Sequence, residues 1–311
     1  MGKVVCVTGA SGYIASWLVK LLLQRGDSSK VEHLTALEGA NERLHLYEAS
    51  LLEEGSFDSA VDGCDGVFHT ASPVFLSVSD PQTELIEPAL KGTINVLESC
   101  TKASTIKRVV ITSSITTVMY NHNSLQQDFT VDETWFSDPI FCEENKKWYA
   151  LSKTLAEKAA VKLAEENGLD LVTLHPGYTI GPPLQPSLNL SSVGLLDLIK
   201  EGKQILANGV YHYVDVRDVA LAHVLALENP SASGRYCLVA RVAYSFEALD
   251  ILKRICPSLD LPPTEPENRP DKVPYQVSKE RAESLGVNFR PLEVTLKDSV
   301  ESFRERNLIT F

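Results

Sequence analysis

Tyr149 and Lys153 stand four residues apart within Tyr149–Glu166, a stretch whose pattern predicts a helix ending near Gly168. That spacing puts a phenol and an ammonium on one helix face. A free phenol titrates near ~10. A neighbouring ammonium favours the phenolate, so Tyr149 can exchange a proton near neutral pH. Ser114 follows the predicted strand Val109–Thr112, and its hydroxyl can hydrogen-bond and polarise a carbonyl. The same Tyr/Lys spacing recurs at Tyr275 and Lys279, but no Thr-Ser-Ser strand end precedes that pair. It reads as a surface or packing feature.

These side chains need a scaffold, and the hydrophobic pattern supplies one. Val4–Val7 is a β-rich apolar run, and Tyr13–Arg25 carries apolar residues at helical spacing until Gly26. Strands are expected at Gly66–Thr70, Val109–Thr112 and Leu171–Leu174, with Leu44–Tyr47 a further candidate, and a long helix at Glu84–Lys102. Val214–Glu228 begins as strand or loop and turns into helix. Alternation of this kind predicts an α/β fold, a Rossmann-type doubly wound parallel sheet with helices on both faces. After Pro176 the texture changes: Gly181-Pro182-Pro183 interrupts the pattern, and Pro257–Lys272 is rich in proline and acidic residues. Two domains are expected: a dinucleotide-binding domain over 1–180 and a smaller C-terminal substrate domain over 181–311, with 207–235 partly returning to the first.

Between the first strand and the first helix lies Thr8-Gly9-Ala10-Ser11-Gly12-Tyr13-Ile14-Ala15. Gly9 permits the tight turn and Gly12 a close backbone approach. Ala15 keeps helix and strand together. The helix then offers free N–H groups and its positive dipole end to a pyrophosphate. A nicotinamide at the far end of such a dinucleotide also favours the Tyr149 phenolate, and Lys153 can hold its ribose.

The net charge of −12 disfavours nucleic acid and anionic membrane as partners. Six scattered cysteines read as reduced thiols in a cytosolic protein. No signal peptide or membrane-spanning run is expected. The histidines, His33, His45, His69, His122, His175, His212 and His223, show no metal-ligand spacing, so no metal site is expected. His69 reads as structural. No Gly-x-Ser-x-Gly elbow is present, which disfavours a hydrolase. Val74, Phe75 and Tyr178 either line an apolar substrate pocket or belong to the core.

At these motifs the chain resembles the extended short-chain dehydrogenase/reductases. It is most similar to the plant branch of dihydroflavonol reductase, cinnamoyl-CoA reductase, phenylacetaldehyde reductase and the cinnamyl-alcohol-dehydrogenase-like proteins. The resemblance rests on the Gly-rich turn and on Gly66-Val67-Phe68-His69-Thr70-Ala71-Ser72-Pro73, Lys91-Gly92-Thr93-Ile94-Asn95-Val96-Leu97 and Val109-Val110-Ile111-Thr112-Ser113-Ser114. Asp132-Glu133-Thr134-Trp135, Trp148–Glu157 and Val216-Arg217-Asp218-Val219-Ala220 extend it nearly end to end. It implies NADP(H) as cofactor, a cytoplasmic location, and reduction of an aromatic or phenylpropanoid-like aldehyde or ketone. It also implies Ser114, Tyr149 and Lys153 as catalytic residues. Cofactor contacts are implied at Gly9, Ala10, Ser11, Gly12, Tyr13, Ile14, Ala15, Ser50 and Leu51. Others are implied at Thr70, Ala71, Ser72, Tyr149, Lys153, Pro176, Gly177, Tyr178, Thr179 and Ser191, with Asn95 supporting the catalytic region.

Three departures matter. Cinnamoyl-CoA reductases typically show Asn-Trp-Tyr-Cys-Tyr-Gly-Lys, whereas this chain has Lys147-Trp148-Tyr149-Ala150-Leu151-Ser152-Lys153, which argues against a CoA thioester. Ser50 replaces the usual Asp or Asn near the adenine. The largest departure follows Gly26, where a βαβ unit of about 30 residues should supply a second strand. Asp27–Leu37 offers a polar turn and a short helix-like segment instead. In the family this stretch is longer and ends with an Arg that holds the 2′-phosphate. Either Leu34 or Leu37 lies in an unrecognised strand, or the segment is lost and Leu44–Tyr47 pairs directly with the first strand. A loss predicts weak NADPH binding with little preference over NADH, with Lys30 a possible substitute contact. The alternatives to a working reductase are a cofactor-impaired relative without turnover and a nucleotide-sugar epimerase.

Overall fold

The computed structural model describes residues 3–25, 36–75, 78–122, 129–206, 209–262, 270 and 273–309. A five-stranded parallel sheet carries the N-terminal motifs. Its strands are β1 (Val5–Thr8), β2 (Gly66–His69), β3 (Arg108–Thr112), β5 (Leu171–Pro176) and β8 (Gly234–Leu238), in that spatial order. β2 and β3 are buried along their whole length, as befits strands covered on both faces. The first cover is α1 (Tyr13–Arg25) with α9 (Val216–Glu228), which sandwich Leu18, Phe68, Val110 and Val219. The second is α4 (Glu87–Lys102) with α7 (Trp148–Asn167), closing over Val67, Val96, Val109 and Ala160. The fold is therefore α/β and doubly wound.

The register Thr8↔His69, His69↔Ile111 and Thr112↔Leu174 brings the carboxyl ends of β1, β2, β3 and β5 to one edge. In such sheets that edge is where ligands bind. α7 stops at Gly168, whose φ of 66° suits a left-handed helix cap.

The remaining strands form two small sheets. β6 (Tyr178–Ile180), β7 (Val210–Asp215) and β9 (Arg241–Tyr244) make one, and β4 (Phe129–Val131) pairs with β10 (Tyr275–Val277) in the other. A second core joins Ile180, Leu195, Tyr213, Leu249 and Phe303 from this later part of the chain. No helix among the described residues is long and apolar enough to cross a membrane.

Two sequence expectations need correction. Leu44–Tyr47 is not a strand and does not pair with β1. It leaves the short helix α2 (Ala40–Arg43) as extended chain with Leu46 and Tyr47 about half exposed, and among the described residues no strand pairs with it. The helix expected over Glu84–Lys102 is α4 preceded by a π-helical turn at Gln82–Ile86, which buries Leu85 and Ile86. Among the described residues β1 has one neighbour, β2, and Ala36–Tyr47 holds no strand. Leu37 is therefore not in a strand, whereas Lys30 and Leu34 lie outside the described residues.

Candidate active site

The Gly-rich turn opens onto the sheet edge. Gly9 has φ +66°, and a Cβ there would sit 2.9 Å from the Ala71 Cα, so both its backbone conformation and its neighbour require glycine. Gly12 N donates to Gly9 O at 2.8 Å, closing the turn, and Ser16 N donates to Gly12 O at 2.9 Å, starting the helical ladder. Gly9, Ser11 and Gly12 are exposed, while Ala10, Tyr13 and Ala15 are buried and Ile14 is half-buried. The Tyr13 hydroxyl donates to Gly181 O at 2.7 Å, so this side chain serves the core.

The β2 end is tied to this turn. Thr70 Oγ1 donates to Thr8 O at 2.6 Å, and Ala71 N donates to Thr8 Oγ1 at 3.2 Å. Ser72 follows them, half-buried. His69 is buried, with Nδ1 bonded to Thr8 Oγ1 at 2.9 Å and Nε2 to Thr93 Oγ1 at 3.3 Å. Burial pushes it down to about 3, so it is neutral and structural. An open glycine turn at a helix N-terminus, beside a second close backbone, fits a pyrophosphate.

Ser114 lies just past β3 and is buried. Its Oγ accepts from Thr116 N at 3.2 Å and from Thr116 Oγ1 at 3.0 Å, which leaves its own hydrogen free to donate. The Tyr149 phenol lies near enough for the Ser114 hydroxyl to act on its titration. Burial raises the Tyr149 phenol above its ordinary value, and the Ser114 hydroxyl pulls the other way. The lowering expected from the Lys153 ammonium is not found; burial sets the direction, because desolvation penalises the phenolate.

Lys153 is 7% exposed, and its Nζ donates to Thr112 O at 2.9 Å. Burial pushes it down to about 8, and the Glu157 carboxylate one turn on works against that. Asn95 Nδ2 donates to Leu51 O at 2.8 Å, so this residue anchors the Ser50–Leu51 segment to α4. Ser50 itself is exposed, and its N–H donates to Ser56 Oγ.

On the far side, Pro176 ends β5, and Gly177 is crossed so closely that a Cβ would lie 2.0 Å from His212 O. The Tyr178 hydroxyl donates to Ser191 O at 2.9 Å, and its ring packs edge-on to Tyr211 at 4.8 Å. Ser191 Oγ donates to Thr179 O. Tyr178 is thus part of the core as well as of this edge, whereas Val74 and Phe75 are about half exposed and available to a ligand. The Tyr275 ring stacks on His212, its hydroxyl 2.9 Å from Nε2, in a buried packing role.

One constellation escaped the motif search. Glu157 and His175, both buried, form a cluster with the partly buried Arg235 behind Ser113 and Ser114. The signal was present in the spacing, because Glu157 continues the face of Tyr149 and Lys153 by one more turn.

Known proteins share this sequence and fold. The chain is 56% identical to cinnamoyl-CoA reductase CAD2 of Medicago truncatula, covering 98% of this chain and 97% of the relative. That alignment runs over 317 positions, more than the 311 residues here, so it includes positions this chain lacks. Vestitone reductase of alfalfa superposes with a TM-score of 0.85 at 31% identity, covering 99% of this chain and 100% of the other. The NADPH complex of the yeast methylglyoxal/isovaleraldehyde reductase Gre2 gives 0.84 at 26% identity, covering 98% and 100%. Residues 5–239 match the NAD dependent epimerase/dehydratase family, and the chain belongs to that family.

Proposed function

We propose that this protein uses NADPH to reduce an aromatic or phenylpropanoid-like aldehyde or ketone to the alcohol. The observation that carries the proposal is the nearness of the Tyr149 phenol to Ser114 at the sheet edge that also holds the glycine turn. The vestitone reductase and Gre2 likenesses support a carbonyl substrate. Residues 1–180 serve the cofactor and 181–311 the substrate, with 207–235 partly rejoining the first unit: β8 adds to the main sheet and α9 covers it.

A reduced nicotinamide, when bound, supplies hydride to the carbonyl carbon. The Ser114 hydroxyl donates a hydrogen bond to the carbonyl oxygen and polarises it. Tyr149 Oη gives its proton to the same oxygen. A phenol held up by burial stays protonated at neutral pH, as a proton donor must. Lys153 Nζ, fixed on Thr112 O, keeps two further hydrogens for the ribose. The exposed turn Gly9–Gly12 and the start of α1 receive the pyrophosphate, while Ser72, Thr179 and Ser191 stand along the nicotinamide side.

A CoA thioester is a second substrate class, favoured by the name of the 56% identical relative. Ala150-Leu151-Ser152 speaks against it. NADPH oxidation measured with phenylacetaldehyde, a cinnamaldehyde, a dihydroflavonol and cinnamoyl-CoA separates the two. Turnover of a free aldehyde or ketone is expected. Turnover of cinnamoyl-CoA alone would overturn the reading.

A further inference from the structure

Glu157 lies on α7 one turn beyond Lys153, in a buried place with no direct part in the proposed reaction. Its Oε2 accepts from Ser113 Oγ at 2.6 Å, and its Oε1 accepts from Arg235 Nε at 2.8 Å. His175 Nε2, from β5, is 3.5 Å from Oε1. The strand end that carries Ser114 is thereby held on three sides. Glu157 grips Ser113, Lys153 grips Thr112 O, and Thr117 Oγ1 and His175 Nδ1 both reach Ser114 O. Arg235 closes the assembly, donating to Thr117 O and to the carbonyls of Glu133 and Trp135.

Burying an ion pair is costly, and an apolar replacement of equal shape often stabilises as well or better. Stability alone therefore gives little reason for Glu157 and Arg235 to sit here. Their position gives a better one. The titratable groups that act on Lys153 are Glu157 from α7, His69 from β2 and His175 from β5, with Arg235 reaching it through Glu157. His69 and His175 are neutral at physiological pH, since burial pushes them down to about 3 and about 4. Burial also acts to raise Glu157; His175 when protonated, the Arg235 guanidinium and the hydroxyls of Ser113 and Thr117 act to lower it, the net direction is down, and the carboxylate is ionised. Glu157 is thus the negative charge in this surrounding that favours the Lys153 ammonium.

We propose that Glu157, braced by Arg235, is a positioning residue that keeps Lys153 charged and locks the Ser113–Ser114 strand end to the helix bearing Tyr149. The role in turnover rests on the proposed reductase reading, whereas the effect on Lys153 does not.

The test is a side-chain amine NMR titration of the full chain without cofactor, with the Lys153 signal identified by its loss in Lys153→Arg. Wild-type Lys153 is expected to titrate near 8. In Glu157→Gln the midpoint falls by about one pH unit or more. In Glu157→Asp, which keeps the carboxylate, it stays nearer the wild type. In Arg235→Gln, which removes one of the groups that keep Glu157 ionised, it falls part of the way. The return toward the wild-type midpoint in Glu157→Asp does not follow from general loosening of the core. In turnover, the basic limb of the kcat profile moves to lower pH in Glu157→Gln with KM little changed.

An unmoved Lys153 midpoint in folded Glu157→Gln overturns the proposal. If that variant does not fold, an unmoved or raised midpoint in Arg235→Gln does so. Should Lys153 respond as expected while Tyr149→Phe keeps full turnover, the reductase reading fails and the Glu157–Lys153 coupling stands.

Discussion

The Tyr149 phenol lies near the hydroxyl of Ser114, and the Ser114 oxygen in turn accepts two hydrogen bonds from Thr116. The serine proton is directed by that arrangement, since both acceptor sites on its oxygen are taken and donation is what remains. A carbonyl oxygen arriving between the two hydroxyls meets a polarising donor and a proton source together. The burial that disfavours the phenolate keeps the phenol protonated at neutral pH.

The duplicate Tyr275/Lys279 spacing gives a control. Tyr275→Phe should leave turnover within about twofold of wild type and cost about 1 kcal/mol of stability, the net worth of its bond to His212. Chemical denaturation and steady-state kinetics on the same sample check both halves. A loss of turnover as large as that expected for Tyr149→Phe would contradict the assignment.

Gly9→Ala tests the turn. The left-handed φ alone costs about 1–3 kcal/mol in a residue with a side chain, and the Cβ also meets the Ala71 backbone at 2.9 Å. A lowered melting temperature and weakened NADPH binding in a fluorescence titration are expected. Binding unchanged from wild type would remove the turn from the cofactor site.

The framework was legible where local pattern and burial agree. β2, β3 and α7 appear in the structure within a residue or two of their expected bounds, because continuous apolar runs and a terminal glycine report directly on a covered sheet and a capped helix. Leu44–Tyr47 misled because four residues of alternating apolar character look alike whether or not a neighbouring strand exists to pair with them. The π-helical turn before α4 left no sequence mark, since an extra residue in one turn preserves the apolar face on either side. The Glu157–Arg235 cluster joins residues 78 positions apart, and only the parallel sheet brings β8 beside β5 beneath α7. The protonation of Tyr149 was misjudged for a related reason: spacing shows a neighbour's charge but not the desolvation that opposes it.

Acid should unfold the protein through its buried histidines. Burial pushes His69 down to about 3 and His212 and His223 to about 4, whereas unfolded histidine titrates near ~6.5. Below that pH the unfolded chain takes up protons that the folded chain refuses. The stability these groups contribute is therefore complete above ~6.5 and lost as pH falls toward the folded values, at up to about 1.4 kcal/mol per pH unit for each histidine. The urea midpoint should hold steady from about pH 8 to 7 and fall steeply between about 6 and 5. A flat midpoint down to about 5 would contradict the burial assigned to these rings.

Cofactor preference tests the short segment after Gly26. The resemblance implies an Arg for the 2′-phosphate in this stretch, and Asp27–Leu37 contains none. NADPH and NADH should bind with dissociation constants within about tenfold of each other, a difference of about 1.4 kcal/mol. Tight and strongly NADPH-selective binding would show that another group reads the phosphate.

The central claim is that Tyr149 supplies the proton at a site assembled with Ser114 and Lys153. Its most direct measurement is steady-state NADPH oxidation by Tyr149→Phe with an aromatic aldehyde that the wild type reduces, alongside NADPH binding to the same variant. The account predicts a kcat lowered by about 10²–10⁴, with cofactor affinity retained. A variant that binds NADPH and turns over at the wild-type rate would contradict it.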